Sequence, residues 1–463
     1  MRKLVLIFLL ISFGLPISSK AIYVSSISGS LTNNGLNSDS PIASLSTALT
    51  LADTVYVEAG SYLYGGVTIK GKVVKRYGDG HNPTICGFKR LVAPDWQEAG
   101  ENIWKICLTE ANYEGVKIAG SSASNNICCL YEYDKDLIHG RKVRYAEEMT
   151  QDWDFWQTEK IKDAAASDYD NLYLYYTGNP NDLSLGFSIY DTGISCSDCT
   201  IDGINLIGFG FGIGARSNTV IRNCKIDVIG GRMIDEGYRY TCYGNGIEFY
   251  VSQDISDCLV EHCQISRCYD CGVTIQGSNC GSATPRNIII RNNLISNCCE
   301  GWEDFLRNDT DVVYENCIFD NNVVLDSGNS GFGYTDKRAK YCHVLGNNIK
   351  GNKGMIIRNN LFIGGNFYCS GAYNGEYKSN KWEGNVCFLS KGDYMLSNYI
   401  GTEDVLRVPE QYGVFDCSSY SKNLEAYREL TGDYSTRFQI VGDARIDKLI
   451  TKNKESFLKK HRY

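Results

Sequence analysis

A short phrase, apolar–charged–Asn–Cys/Asn–x–apolar, keeps returning along the middle of this chain. It reads Arg222-Asn223-Cys224-Lys225-Ile226, then Glu261-His262-Cys263-Gln264-Ile265, then Arg291-Asn292-Asn293-Leu294-Ile295. It returns as Glu315-Asn316-Cys317-Ile318-Phe319 and Arg358-Asn359-Asn360-Leu361-Phe362, and more loosely around Gly203 and Gly384. The spacing is about 20 to 30 residues or near multiples of it, which is the signature of a solenoid. The repeats are rich in Val, Ile, Asn and Gly, so they read as strands rather than helices. The expected fold is all-β: a right-handed parallel β-helix over roughly Ile194 to Leu389.

A second column follows each phrase: Gly246-Ile247-Glu248-Phe249, Gly272-Val273-Thr274-Ile275, Gly301-Trp302-Glu303-Asp304 and Gly331-Phe332-Gly333-Tyr334. These read as one strand on four successive coils. Side chains alternate along a strand. If Ile247, Phe249, Val273, Ile275, Phe332 and Tyr334 point inward, then Glu248, Thr274, Glu303 and Gly333 share one outward row. Trp302 and Asp304 have the same parity, so the third coil is expected to expose the Trp or to bend.

The chain contains 20 Cys. A position that accepts Cys or Asn in successive repeats reads as an internal turn stack, with Cys as a small buried apolar group. Cys196-x-x-Cys199 and Cys268-x-x-Cys271 remain open as bridges or metal ligands, although a zinc site lacks further matching ligands.

The ends differ from the middle. Arg2 and Lys3, the apolar run Leu4 to Pro16, and Ser19-Lys20-Ala21 describe a cleaved signal peptide over residues 1–21. The chain is therefore expected to be exported to the periplasm or beyond, with no membrane span. Asp39-Ser40-Pro41 reads as a helix start. The helix it opens is expected to cap the first coils (residues 22–90), where open strand edges invite aggregation. Residues 91–190 break the repeat and read as an inserted β-rich module. The main coil then spans 191–395, and 396–463 reads as a partly helical C-terminal cap with a solvated Lys-rich tail. The net charge of −8 argues against nucleic acid as a partner. It also disfavours a polyanionic substrate unless a cation or a local basic patch intervenes.

Cleaving a glycosidic bond needs two carboxyl groups flanking it, roughly 6.5–9.5 Å apart with inversion or about 5–5.5 Å apart with retention. Glu248 and Glu303 lie two coils apart in the outward row, hence about 9–10 Å by the strand spacing. Asp270 and Glu300 stand at the entrances to the second and third strands. The candidate catalytic residues are therefore Glu248, Asp270, Glu303 and Glu300. The candidate sugar-binding residues are Tyr243, Tyr250, Tyr269 and Trp302, with Asn245, Thr274 and Gln276 as polar partners.

Several segments resemble pectate-lyase-like β-helix proteins: Ile22-Tyr23-Val24-Ser25, Asn34-Gly35, Ser40-Pro41, Asp53-Thr54-Val55-Tyr56-Val57 and Gly60-Ser61-Tyr62. Trp153 and Leu172-Tyr173-Leu174-Tyr175 with Gly178-Asn179-Pro180 are similar to the insertion of β-helix glycoside hydrolases acting on complex polysaccharides. So are Tyr243-Gly244-Asn245-Gly246, Tyr269-Asp270-Cys271-Gly272 and Thr431-Gly432-Asp433-Tyr434-Ser435. The resemblance covers nearly the whole mature chain and implies a polysaccharide or oligosaccharide partner and a monomer. It is poor for reaction, because such folds also host lyases, epimerases and non-catalytic proteins. The expected activity is glycoside hydrolysis without a cofactor. The alternatives are a polysaccharide lyase, with Ca²⁺ held by the acid cluster, and a glycan-binding or structural β-helix.

Overall fold

The computed structural model describes residues 20–115, 127–143, 146–157, 171–235, 240–278, 280–281, 283–307, 313–328, 333–334, 342–347, 354–365, 367–371, 380–390, 393–398 and 420–461. Most of the signal segment expected over 1–21 lies outside these residues. Among the described residues, no helix is long and apolar enough to cross a membrane.

Three long all-parallel sheets run along the chain, with ten, ten and nine strands. One coil shows how they connect. Ile255–Glu261 lies in the first sheet, Gln264–Cys268 in the second and Cys271–Ser278 in the third; Pro285–Arg291 then returns to the first. Each strand pairs in parallel with its equivalents one coil before and after. This is a parallel β-helix, and parallel crossovers are right-handed almost without exception. Its interior is one continuous core, from Ile22 and Val24 through Ile221, Val260 and Ile290 to Phe438.

The repeated phrase is the turn from the first sheet to the second. Asn223, His262, Asn292 and Asn359 have φ between 55 and 56°, a left-handed conformation that Asn tolerates better than most residues. The residue after each one points inward and forms a ladder. Asn293 Nδ2 donates to the Val260 carbonyl one coil back (3.1 Å), Asn322 Nδ2 to Ile290 (3.0 Å), Asn360 Nδ2 to Phe319 (2.9 Å) and Asn385 Nδ2 to Ile357 (2.9 Å). The backbone N–H groups of Cys263, Asn293, Asn322 and Asn360 each donate to the side-chain oxygen of the next Asn, at 2.8–3.0 Å. Where Cys replaces Asn the thiol makes the same backward contact: Cys224 Sγ to Ile201 (3.9 Å) and Cys263 Sγ to Ile221 (3.8 Å). The thiol stack expected from the sequence is therefore present. The 17 Cys whose side chains are described are free thiols, and all of them but Cys107 are buried.

Two assignments within the repeat change. Asn316-Cys317 belongs to a different turn, the entry to the first sheet. There Asn316 Nδ2 donates to Asn287 Oδ1, as Asn287 does to Asp257. The phrase proper on that coil is Asn321-Asn322. Gly331 and Phe332 lie outside the described residues, and Gly333–Tyr334 is not the fourth strand of its column either. Val344, in the strand Cys342–Asn347, pairs with Trp302, whereas Gly333–Tyr334 pairs with Arg141–Lys142.

Residues outside the coil gather in two places. A largely antiparallel module leaves the turn from the second to the third sheet, beginning at Phe88–Arg90 and returning at Leu185–Ser188. It has its own core of Trp96, Ile106, Tyr113, Phe155, Leu172, Leu174 and Phe187. The hairpin Arg232–Asp235 with Tyr240–Tyr243 leaves the same turn on a later coil. Helix α1 (Leu45–Leu51) starts later than Pro41 suggests, because the Ser44 hydroxyl caps it by accepting from Thr47 N–H. Leu45 and Ala48 are its buried residues, in the core beside the first strands. Helix α2 spans Tyr420–Thr431, and α3 spans Asp443–Lys460. The Lys-rich end is the last turn of α3 rather than a free tail. It lies on the second sheet, with Ile446, Ile450 and Phe457 against Leu294, Leu325 and Ile363.

The ladder makes a measurable demand. Replacing Asn322 by Ala leaves the Ile290 carbonyl and the Asn293 N–H buried without partners, at a cost of about 2–4 kcal/mol. Replacing its exposed neighbour Asn321 (φ 52°) by Gly should change stability by less than ~1 kcal/mol. Urea unfolding of both variants checks the contrast; equal costs would mean that the ladder adds nothing.

Candidate functional site

The third sheet places the acids. Its register aligns Ser195, Gly214, Glu248, Thr274 and Glu303 as one outward row on five successive strands. The row is held in phase by glycines at the strand entrances. A Cβ added at Gly272 would lie 2.5 Å from Ile295 Cγ2, so the turn closes only on glycine. Glu248 and Glu303 are thus two strands apart, about 9.5 Å at the usual spacing.

Glu303 is only 6% exposed. Thr274 Oγ1 donates to its Oε2 at 2.9 Å. Burial, then the negative charge of Asp270, then those of Asp304 and Glu248, hold its carboxyl well above the usual range. Glu248 is half-buried. Burial and Asp270 raise its carboxyl too, but the Asn245 and Gln276 amides donate to its Oε2 at 2.9 and 2.7 Å and Arg216 adds positive charge nearby, all of which oppose the rise. Asp270, half-buried at the turn before Cys271–Ser278, acts electrostatically on both glutamates. The structure therefore brings Glu248, Asp270 and Glu303 together, with Asn245, Thr274 and Gln276 as their direct partners.

Other expected site residues go elsewhere. Glu300 begins the strand Glu300–Arg307 on the parity of Trp302 and Asp304, and it is buried rather than part of the outward row. Trp302 is fully buried and packs on Phe319 at 5.2 Å between ring centroids. The strand neither exposes the ring nor reverses its parity, so Asp304 also faces the interior, where Asn380 Nδ2 donates to it at 3.1 Å. Tyr269 is buried against Cys86, Phe88, Cys128 and Cys129, joining the coil to the module instead of facing a ligand. Tyr243 ends its hairpin strand, and its side chain lies outside the described residues.

Tyr250 does face a cleft, of about 320 Å³, together with Glu248, Arg216, Ser195, Ser197, Thr68 and Lys70. The register makes Ser197 pair with Lys70, and carries the same second outward row through Arg216 and Tyr250 to Gln276. Arg216 donates through Nη1 to the Tyr250 carbonyl, and its guanidinium lies 5.7 Å from that ring's centre. Lys70 and Arg216 were missed in the sequence because their coils lie on either side of the long insertion. The signal available was the parity of Val67-Thr68-Ile69-Lys70. Among the described residues, no group of three or more His, Cys, Asp or Glu is arranged to hold a metal ion.

Fold and site together define the class: a parallel β-helix whose third sheet carries a buried carboxylate row beside an open cleft. No protein-family model matches the chain, and no curated protein does. Among solved structures it is similar to a glycoside hydrolase at 11% identity, covering 79% of this chain and 96% of that one, with a TM-score of 0.40. It is similar to XylC in complex with xylose at 12% identity, covering 91% and 82%, with a TM-score of 0.40. A tailspike protein of E. coli bacteriophage HK620 is matched at 11% identity over 83% and 64%, with a TM-score of 0.35. The fold stands on the chain's own strand register.

The raised Glu303 carboxyl has a consequence for stability. Its folded pKa lies above the unfolded value of 4.5, so the folded chain holds a proton that the unfolded chain releases. That contribution is complete below pH 4.5 and is lost as pH rises through the folded value, at ~1.4 kcal/mol per pH unit in between. Glu303→Gln keeps the protonated shape and is expected to exceed the parent in stability at pH 8, while matching it near pH 4. Urea unfolding at both pH values measures this. A variant no more stable than the parent at pH 8 would show that Glu303 folds as a carboxylate.

Proposed function

We propose that this chain is an exported glycoside hydrolase that cleaves a polysaccharide with inversion at the anomeric carbon. The observation that carries the reading is the pair Glu248 and Glu303. They lie in one row and one register, about two strand spacings apart; burial raises both carboxyls, Glu303 well above its ordinary value and Glu248 against the opposing pull of two amides and Arg216. A pair of carboxyl groups so divided is the arrangement that supplies an acid and a base at one pH.

Glu303 is the general acid. Burial and the surrounding negative charge keep it protonated, so it delivers that proton to the glycosidic oxygen as the bond to the anomeric carbon breaks. Glu248 is the general base. Two amide donors and Arg216 favour its carboxylate. It takes a proton from the water that attacks the anomeric carbon from the opposite face. A separation of about 6.5–9.5 Å leaves room for that water. Asp270 bears on both, and its charge keeps the Glu303 proton in place until transfer. Tyr250 offers an aromatic face at the edge of the row. The Asn245 and Gln276 amides orient Glu248 and contact no substrate atom in this reading.

A lyase would bring a uronate carboxylate onto the same three acids, against their repulsion. It would also need Lys or Arg as its base within the row, and the row formed by Glu248, Thr274 and Glu303 holds neither.

The test is a polysaccharide panel read for both reducing ends and unsaturated products. Glu248→Gln and Glu303→Gln are each expected to lower kcat at least about a hundredfold on the responding glycan, with Asp270→Asn shifting the alkaline limb of the pH profile downward. The first product should have inverted anomeric configuration by NMR. Full activity in both glutamine variants, or unsaturated products, would sink the hydrolase reading.

A further inference from the structure

We infer that the cleft beside the acid row is a subsite for an anionic sugar unit, so that the substrate is a heteroglycan with a neutral unit at the cleaved bond and an acidic unit some coils away. This deepens the hydrolase reading and rests on it for the direction of the chain, but the binding it describes is measured separately.

The argument begins from charge. The whole chain carries −8, and its candidate chemistry sits on three carboxyl groups. A uronate, sulfate or other anionic substituent over Glu248, Asp270 and Glu303 would meet like charge where burial leaves little water to screen it. The neutral unit therefore belongs there. The opposite charge appears at the other end of the same face. Lys70 and Arg216 are both exposed and both line the cleft, and Ser197 lies between them in the strand register. Ser195 and Thr68 present exposed hydroxyls in the adjoining row.

The two patches are rigidly related. Glu248 stands one strand from the Arg216 coil and three strands from the Lys70 coil, hence roughly 5 to 14 Å along the axis. A glycan lying along the axis over Glu248 thus reaches both cations with its next units. Arg216 presents a planar fork suited to a carboxylate or sulfate, and Lys70 a point charge that serves either. Tyr250 lies in the second row between Arg216 and Gln276, against the Arg216 guanidinium. It provides a ring for the sugar that links the two patches. Neutralising Glu248 would account for Arg216 alone. It does not account for Lys70, three strands away in the same cleft.

The experiment uses the full mature chain carrying Glu303→Gln, so that binding is read without turnover. The probes are oligosaccharides released from uronate-bearing heteropolysaccharides, each in native form and after reduction of the carboxyl groups to neutral sugars, with a sulfated set alongside. Calorimetry at low salt is expected to show about tenfold or greater preference for the anionic form, the size of one charge-assisted hydrogen bond. The preference should fall as salt rises. Lys70→Ala with Arg216→Gln should erase it while leaving affinity for the carboxyl-reduced form intact, which also shows that the variant is folded. Equal binding of native and reduced forms, or a preference unchanged by the double variant, would overturn the subsite. Loss of the hydrolase reading would appear instead as undiminished cleavage by Glu248→Gln, with the binding preference untouched.

Discussion

Each coil must pass from the first sheet to the second at a buried corner, and at that corner a carbonyl and an N–H lose their strand partners. An unpaired backbone group in an interior is costly, and this cost recurs at every level of the stack. The chain meets it with one side chain per coil. Asn293, Asn322, Asn360 and Asn385 each donate to a carbonyl and accept from an N–H of the coil behind. In the earlier coils Cys224 and Cys263 reach the same carbonyl with a thiol. Because each coil contacts mainly its neighbours, the order of the stack depends on these repeated links.

That corner also sets the site. Once its phase is fixed, the third sheet has no freedom of register, and Glu248, Thr274 and Glu303 must fall in line. Both insertions leave the chain at the turn into this sheet. The acid row therefore lies on the face whose border carries the added chain. Holding three carboxyl groups together opposes folding at neutral pH, and the long ladder and continuous core outweigh it. Local cost at a site supported by a rigid scaffold is the pattern expected where chemistry is done.

The period of Asn, Cys and Gly was enough to recognise the coil, because turn chemistry is local and repeats with every level. The same locality exposed the outward parity of Glu248 and Glu303. It misled at Gly333–Tyr334, which pairs with the module instead, and at Asn316-Cys317, which answers to a neighbouring corner with similar chemistry. Tyr269 and Trp302 looked like sugar platforms, but both are in packed interiors. Aromatic rings bury as readily as they bind, and only packing distinguishes the two.

The sequence by itself determined the parallel coil, the turn stack and the alternation that turns two glutamates outward, since each follows from a period and a local preference. Only the tertiary structure decided what stands beside them. It set Asp270 beside both glutamates, buried Glu300 and Trp302, and placed Lys70 and Arg216, separated in sequence by the inserted module, two levels apart in one cleft. The reason is that a solenoid makes neighbours of residues a whole coil apart, and an insertion of any length between two coils leaves that adjacency unchanged.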